Sequence, residues 1–190
     1  MNKQIAIFSD FFSETSFNLR KYNKKFLEIE KEIGWEIPKD IKRFLFYYNG
    51  FDLEEDYYFK SAEIIPTYTS KRGFFRIDRF LNFKDIKNSI DYAFNREQRI
   101  QGKKLLPIGD DVFGNFLCIG LNHNGYEILF FDHEELTPFY KISDSISEML
   151  RSVTEIETPE ISESELGIVN ASFSNELLQQ LENFKRNKKM

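Results

Sequence analysis

Apolar residues recur three and four positions apart between residues 19 and 33. This spacing places them along one face of an α-helix, while the charged residues between them fall on the other faces. Gly34 follows directly, in the position where helices commonly end with a left-handed residue. The pattern therefore predicts an amphipathic helix whose core-facing stripe is formed by Leu19, Tyr22, Phe26, Ile29 and Ile33.

A second apolar stripe begins a few residues later, behind Pro38. Proline suits the first turn of a helix, and Asn49-Gly50 supplies a turn-forming end. Trp35 and Ile37 lie in the short connection, where we expect them to fill the space between the two helices. The second helix is predicted to present Ile41, Phe44, Leu45 and Tyr48 to the core.

The middle of the chain, from Leu105 to Asp132, alternates apolar segments with clusters of turn-forming residues. Gly and Asn tolerate the positive φ of tight hairpin turns, so Asn124-Gly125 is a strong hairpin signal. Each apolar segment has the length of a strand and is rich in large apolar residues. The stretch predicts an antiparallel meander with strands at Leu105 to Ile108, Phe116 to Leu121 and Ile128 to Phe131.

Shorter patterns predict the elements that surround this meander. A helix is predicted from Asp85 to about Ile100, and Ser143 is placed to cap another that runs to about Thr154. Further strands are predicted at Tyr57 to Phe59, Ile64-Ile65, Phe74 to Phe80 and Phe139-Tyr140.

A chain of 190 residues fills one good-sized core, so we expect a single α+β domain over residues 1–155. Its centre is a twisted antiparallel meander packed with helices. Residues 156–190 begin as an acidic, Ser-rich strap that contains Pro159 and end in a helix from about Ser174. We expect this segment to pack on the same domain.

Composition narrows the class of protein. Hydrophobic residues make up 41% and charged residues 30%, which is typical of a folded globular chain. No apolar run approaches the roughly 20 residues that span a bilayer, and the N-terminus lacks the pattern of a secretory signal. Cys118 is the one cysteine, which fits a reducing compartment. These features predict a cytoplasmic protein with no membrane partner.

Two pairs of residues with metal-binding side chains lie at predicted strand ends and raise the question of a metal site. Asp110 and Asp111 follow one strand, and Asp132 and His133 follow another, so a meander can bring them to the same sheet end. Hard cations need several converging oxygen ligands. Turn and capping duty explains acidic residues at strand ends equally well, and no HExxH, CxxC or calcium-loop spacing occurs. We therefore predict neither a metal nor a cofactor.

Side chains suited to catalysis are few. His123 and His133 both flank turns, Cys118 lies in a strand expected to be buried, and no Gly-x-Ser-x-Gly motif occurs. The sequence predicts a protein that is not an enzyme, with an enzyme of unrecognised mechanism as the remaining alternative.

Charge bears on the class of partner. The net charge of −5 opposes nucleic-acid binding and favours basic proteins. A set of basic residues could nevertheless bind a nucleic acid, although an ordinary solvated helix face explains the same residues. The set consists of Lys71, Arg72, Arg76, Arg79, Arg96, Arg99, Lys103 and Lys104.

The most partner-like pattern combines acidic residues, which steer association, with aromatic residues, which anchor it. An exposed loop followed by a core strand is the alternative interpretation of the same segment. The predicted partner-binding residues are Glu54, Glu55, Asp56, Tyr57 and Tyr58, together with Asp110 and Asp111.

The order of the motifs resembles a known family. The motifs are Gly34 with Ile37-Pro38, Asn49-Gly50, Leu106-Pro107-Ile108-Gly109, Phe113-Gly114-Asn115 and Phe131-Asp132-His133. This order resembles the SUKH superfamily over about residues 19–154, in particular its bacterial immunity proteins related to the fungal Smi/Knr cell-wall regulator. The family's meander turn commonly reads Asp-Gly-x-Gly-Asp. Here one glycine is kept and an amide replaces the final acid.

The resemblance implies an α+β fold with a twisted antiparallel sheet and no enzymatic activity. Many members are encoded beside polymorphic toxins and bind the cognate toxin domain, often a nuclease. We therefore expect an immunity protein that neutralises its toxin by steric occlusion. The alternative is an intracellular regulator or scaffold that binds an unrelated protein. The sequence leaves the oligomeric state open.

Overall fold

The structure, a computed structural model, describes residues 7–13, 20, 22–53, 57–66, 73–91 and 103–155. Several predictions fall outside these residues. They are Leu19 of the first helical stripe, the part of the third predicted helix beyond residue 91, and the strap and terminal helix of residues 156–190.

Five helices and eight strands make up the described part of the fold. The helices are α1 (Ser9–Phe12), α2 (Asn23–Ile33), α3 (Lys39–Tyr47), α4 (Phe83–Ser89) and α5 (Ile146–Arg151). The strands are β1 (Tyr57–Lys60), β2 (Phe74–Phe75), β3 (Arg79–Phe80), β4 (Leu105–Asp110), β5 (Phe116–Asn122), β6 (Gly125–Phe131), β7 (Phe139–Ser143) and β8 (Thr154–Glu155).

All the strand pairs are antiparallel, and they form two sheets. The larger sheet has the order β3-β4-β5-β6-β7, and the smaller one has the order β2-β1-β8. Side chains from α2 to α5 share one apolar core with one face of the larger sheet. The predicted α+β class and the predicted meander are both confirmed. None of the described helices combines the length and the apolar character needed to cross a membrane.

The register of the meander places its apolar side chains in layers. Ile119 of β5 lies opposite Leu106 of β4 and Ile128 of β6, and all three are completely buried. The β5–β6 hairpin closes through His123 and Asn124, so the predicted turn at Asn124-Gly125 lies one residue earlier than expected. Gly125 begins β6 with a φ of 126°, a value that favours glycine.

The two helices predicted from periodicity are confirmed. Phe26 and Ile29 are the buried residues of α2, which ends at Gly34 with a φ of 77°. The whole predicted stripe of α3 is buried, as are Trp35 and Ile37 in the connection. The three-and-four spacing identified the core-facing side of both helices because each packs only one face.

Two predicted boundaries are wrong for identifiable reasons. Ser143 ends β7, and it is the Ser145 side chain that caps α5 by accepting a hydrogen bond from the Glu148 backbone N–H. Ile64-Ile65 forms no strand. Instead, the backbone two residues earlier donates to β7, through Ala62 N–H to Ile142 and Glu63 N–H to Lys141.

The predicted strand from Phe74 to Phe80 is two short strands in different sheets. β2 pairs with β1, whereas β3 pairs with β4. Where the chain crosses from one sheet to the other, the alternation of buried and exposed residues breaks. Phe75 and Ile77 are buried two positions apart, whereas Phe80 and Leu81 are adjacent and both buried. The following helix begins earlier than predicted, at Phe83, since the Asn82 side chain accepts the backbone N–H groups of its first turn.

Phe80 joins the two sheets and the helices. Its ring is completely buried and lies 4.8 Å from Phe44 of α3, 6.1 Å from Phe8 and 6.3 Å from Phe59 of β1, centroid to centroid. Aromatic rings at these distances add to the stabilisation that burial alone supplies.

We predict that Phe80→Ala lowers the free energy of unfolding by about 3–5 kcal/mol, because it leaves a ring-sized cavity between elements that cannot close together. Urea denaturation followed by circular dichroism measures the change. Phe113→Ala is the matched control: that ring is 63% exposed, so its removal should change stability by no more than about 0.5 kcal/mol. Equal losses in the two variants would contradict the placement of Phe80.

Candidate functional site

The candidate site is one end of the larger sheet, where β4 meets β5 and β6 meets β7. Phe131 of β6 lies opposite both Phe116 of β5 and Phe139 of β7, so the two connections leave the sheet together. We call residues 111–115 and 132–138 the turn end. It contains Asp111, Asp132 and His133, the residues that the sequence placed at strand ends.

The Asp111 carboxylate organises the first of the two turns. One oxygen accepts the backbone N–H groups of Phe113 and Asn115, each at 2.9 Å, and the other accepts the side-chain amide of Asn115 at 2.9 Å. Gly114 takes a φ of 90°, which favours glycine. Asp111 is only 8% exposed, so its acceptor capacity is directed into the turn rather than to solvent.

Asn115 connects this turn to the second one. Its amide oxygen accepts the His133 backbone N–H at 3.1 Å and lies 2.9 Å from the His133 Nδ1 atom. The Asn115 side chain is 1% exposed, and an amide both donates and accepts. Asn115 therefore donates to Asp111, accepts from His133 and fixes the two turns relative to each other.

Asp132 stabilises the second connection through hydrogen bonds to its backbone. It is completely buried, and its carboxylate accepts the Glu134 backbone N–H at 3.1 Å. Its own backbone N–H donates to the Pro138 carbonyl at 2.7 Å. Across the residues that the structure covers, no three His, Cys, Asp or Glu side chains are grouped to hold a metal ion.

Asp110 lies beside the turn end in an ion-pair cluster. Arg79 donates to its two carboxylate oxygens at 2.8 and 2.9 Å and reaches Asp85 at 3.4 Å. The hydrogen bond to Asp110 raises the pKa of Arg79 further. Arg76 is paired with Asp78 at 2.5 Å. Two members of the predicted basic set are thus bound to carboxylates.

The other predicted site residues lie elsewhere in the fold. Tyr57 and Tyr58 are half-buried in β1, where they pair with β8, and Tyr57 packs against the core. Lys103 and Lys104 are exposed at the start of β4. Glu54, Glu55 and Asp56 fall outside the described residues, as do Lys71, Arg72, Arg96 and Arg99.

Sequence reasoning missed the most exposed feature of this region. Val112 and Phe113 are 78% and 63% exposed in the first turn, and Leu136 is 94% exposed in the second. We call these three residues the apolar tip. Large apolar residues inside clusters of Gly, Asn and Asp were the available signal, because turn chemistry does not require them there.

The candidate nucleophile and the two histidines do not come together. Cys118 is completely buried in β5, and burial raises the pKa of its thiol. His123 is in the exposed β5–β6 turn, at the opposite end of the meander from His133. The three groups are thus spread along the sheet rather than gathered in one cleft.

A shallow hollow of about 330 Å³ lies between α2 and α4. Glu28, Lys31, Glu32 and Lys87 line it, so both charge signs are present. Partial burial, followed by the hydrogen bond that protonated Glu32 donates to Asp91, raises the pKa of Glu32. The hollow resembles a solvated helix surface more than a binding site.

We predict that native Cys118 resists alkylation. Iodoacetamide at pH 8 should label the folded protein at least about a hundredfold more slowly than the urea-unfolded protein, because reaction requires an opening that costs several kcal/mol. Mass spectrometry gives an unambiguous result, since the chain has one cysteine. Rapid labelling of folded protein would show that the thiol is accessible.

We predict that Asn115→Asp destabilises the protein by about 3 kcal/mol at pH 7, because a second carboxylate would face Asp111 where the amide now donates. The like charge raises the folded-state pKa of the new acid above its unfolded value of about 3.9. The loss relative to wild type should therefore be small near pH 4 and grow as the pH rises. Urea denaturation at several pH values measures it.

Asn122→Asp is the matched control for this substitution. Asn122 only accepts, from the Asn124 backbone N–H at 2.9 Å in an exposed turn, and a carboxylate preserves that bond. Its stability should follow that of the wild type throughout the pH range. An Asn115→Asp loss that does not depend on pH would disprove the role given to the amide donor.

The chain is similar in sequence to a known protein and to a family of proteins. The chain is 27% identical over 168 residues to the SPbeta prophage-derived uncharacterized protein YokK of Bacillus subtilis (strain 168), covering 82% of this chain and 86% of that protein. No solved structure matches the chain closely enough to count as similar. The model of the SMI1 / KNR4 family (SUKH-1) matches residues 23–152, which include α2, α3, the whole meander and the turn end. The chain belongs to the SMI1 / KNR4 family (SUKH-1).

Proposed function

We propose that this protein is a non-catalytic immunity protein, which binds a cognate polymorphic toxin and neutralises it by steric occlusion. The toxin domain is of the nuclease type. The observation that carries the proposal is the family match over residues 23–152. Many members of this family are encoded beside polymorphic toxins and bind the cognate toxin domain. The partner is a protein, and the two proteins bind in the cytoplasm.

The geometry of the turn end supports a binding role. Asp111, Asn115 and Asp132 direct their hydrogen bonds into the two turns, which holds the backbone in one arrangement. A surface that is already ordered loses less conformational entropy when it meets a partner. What this end offers to a partner is therefore a fixed shape rather than a reactive group.

Charge supports a basic partner. The net charge of −5 attracts positive proteins and accelerates their association. A nuclease that binds nucleic acid needs a positive surface for the phosphates. An acidic inhibitor that covers this surface blocks the substrate without touching the catalytic groups.

The described segment that leads to the predicted acidic loop lies near the turn end. Leu53, the last described residue before it, donates its backbone N–H to Asp78, and Asp52 bridges to Arg79. Arg79 in turn pairs with Asp110 next to the turn end. We include Glu54, Glu55 and Asp56, followed by Tyr57 and Tyr58, with Asp110 and Asp111 in the proposed partner-binding surface.

We predict that the protein protects cells from the toxin domain encoded by a neighbouring gene. Co-expression should restore colony formation to the level of cells that carry an inactivated toxin, because a bound inhibitor excludes the substrate. Colony counts under controlled induction measure the effect. A SUKH protein from another locus is the control, and it should not protect, since recognition is specific to one partner.

Failure to protect, with both proteins present in soluble form, would contradict the immunity function. A gene neighbourhood without any toxin domain would favour the alternative, a regulator or scaffold that binds an unrelated protein.

A further inference from the structure

We infer that the apolar tip is the anchor of the partner-binding surface, and that it enters an apolar recess ringed by basic side chains on the partner. This inference rests on the proposed function, which supplies a protein partner with a positive surface. The apolar tip is the part of this chain that makes the central contact, and the surface that receives it on the partner is apolar with basic side chains around it.

The exposure of the apolar tip supports this assignment. Val112, Phe113 and Leu136 are 78%, 63% and 94% exposed, although each is a large apolar side chain at the same end of the sheet. Grouped apolar exposure of this kind is characteristic of interaction surfaces, whereas single exposed apolar residues are ordinary. Leu27, Ile64 and Leu121 are exposed too, but they lie on α2, before Pro66 and at the far end of β5.

Hydrogen bonds hold the backbone of the two turns that carry the apolar tip. The Val112 backbone N–H donates to the Asp78 carboxylate at 2.6 Å, and the Phe113 backbone N–H donates to Asp111 at 2.9 Å. The second turn, which carries Leu136, is tied to the first through Asn115 and His133. A backbone held in this way loses little freedom on binding, which favours an interface dominated by a few side chains.

The charge around the apolar tip is negative. The two turns carry four acidic residues and no Lys or Arg. Asp111 and Asp132 are buried, and Glu135 is half-buried. Glu134 is exposed beside Leu136 in the second turn. The apolar tip is therefore an apolar centre with acidic surroundings, and the complementary surface is an apolar recess with basic surroundings.

The same charge distinguishes among possible occupants. Anionic lipid repels acidic turns, so a membrane surface is disfavoured. A symmetric pair of copies joined through this end would bring like charges together, which disfavours self-association. A basic protein surface satisfies both the apolar and the acidic parts, and it is the occupant that we propose.

The test compares two multiple variants in binding to the purified toxin domain encoded beside the gene. Val112→Ser/Phe113→Ser/Leu136→Ser removes the apolar tip, and Leu27→Ser/Ile64→Ser removes apolar residues with comparable exposure elsewhere. We expect the tip variant to raise Kd at least about 30-fold, as the loss of anchor residues does, with the control unchanged. Phe113→Ala alone is the second variant, and urea midpoints verify that all variants remain folded.

Equal affinity of the folded tip variants and the wild type would overturn the inference while leaving the immunity function intact. Absence of binding by the wild type would overturn both. A wild-type dimer that the tip variant converts to a monomer, or tip-dependent binding to phosphatidylcholine vesicles, would assign the apolar tip to another occupant and also overturn the inference.

A kinetic measurement tests the acidic surroundings separately. Glu134→Gln keeps the shape of the turn and removes one exposed charge. We expect it to slow association with the same toxin domain several-fold at low salt, and the difference should vanish at high salt as charges are screened. An association rate unaffected by this substitution at low salt would overturn the assignment of a basic rim.

Discussion

The turn end depends on the requirement that a buried polar side chain be hydrogen-bonded. Asn115 is 1% exposed at the mouth of the meander, where an unsatisfied amide would be costly. It meets that requirement by donating to Asp111 and accepting from His133. One side chain thereby closes the first turn and attaches the second. Without this bridge the two turns would lose the side-chain hydrogen bonds that join them.

Two phenylalanines, Phe80 and Phe113, have opposite roles in this structure. Phe80 is completely buried among the rings of Phe44 and Phe59, where its removal weakens the fold. Phe113 has most of its ring in solvent, although its backbone N–H is held by Asp111. The fold gains little from the exposed ring. Packing within the described residues therefore does not account for an apolar side chain at this position.

Local patterns predicted the elements that bury a single face. The spacing of Phe26 and Ile29 identified the core side of α2, and the apolar runs around Ile119 identified the meander. Boundaries that depend on tertiary contacts were not predictable in this way. Ser143 resembles a helix cap in sequence, but the pairing of β7 with β6 extends to that residue and leaves Ser145 to cap the helix.

The candidate site was predicted only in part, for a related reason. Asp111 was recognised as a turn residue, which its hydrogen bonds confirm. The bridge from Asn115 to His133 joins residues 18 positions apart and has no local signature. Exposure of Val112 and Leu136 is likewise a property of the assembled sheet, since the same residue types are buried within the strands.

The turn differs from the family's common turn at Asn115, the residue that makes this bridge. In the pattern Asp-Gly-x-Gly-Asp the final position carries a carboxylate, which cannot donate to the first Asp and adds a second negative charge beside it. Here Asn115 supplies the donor, so the turn closes without a counter-charge. Val112 stands where the pattern has its first glycine, and Phe113 follows it. The Asp111 carboxylate is thus directed to its own turn, while the apolar side chains of Val112 and Phe113 face outward.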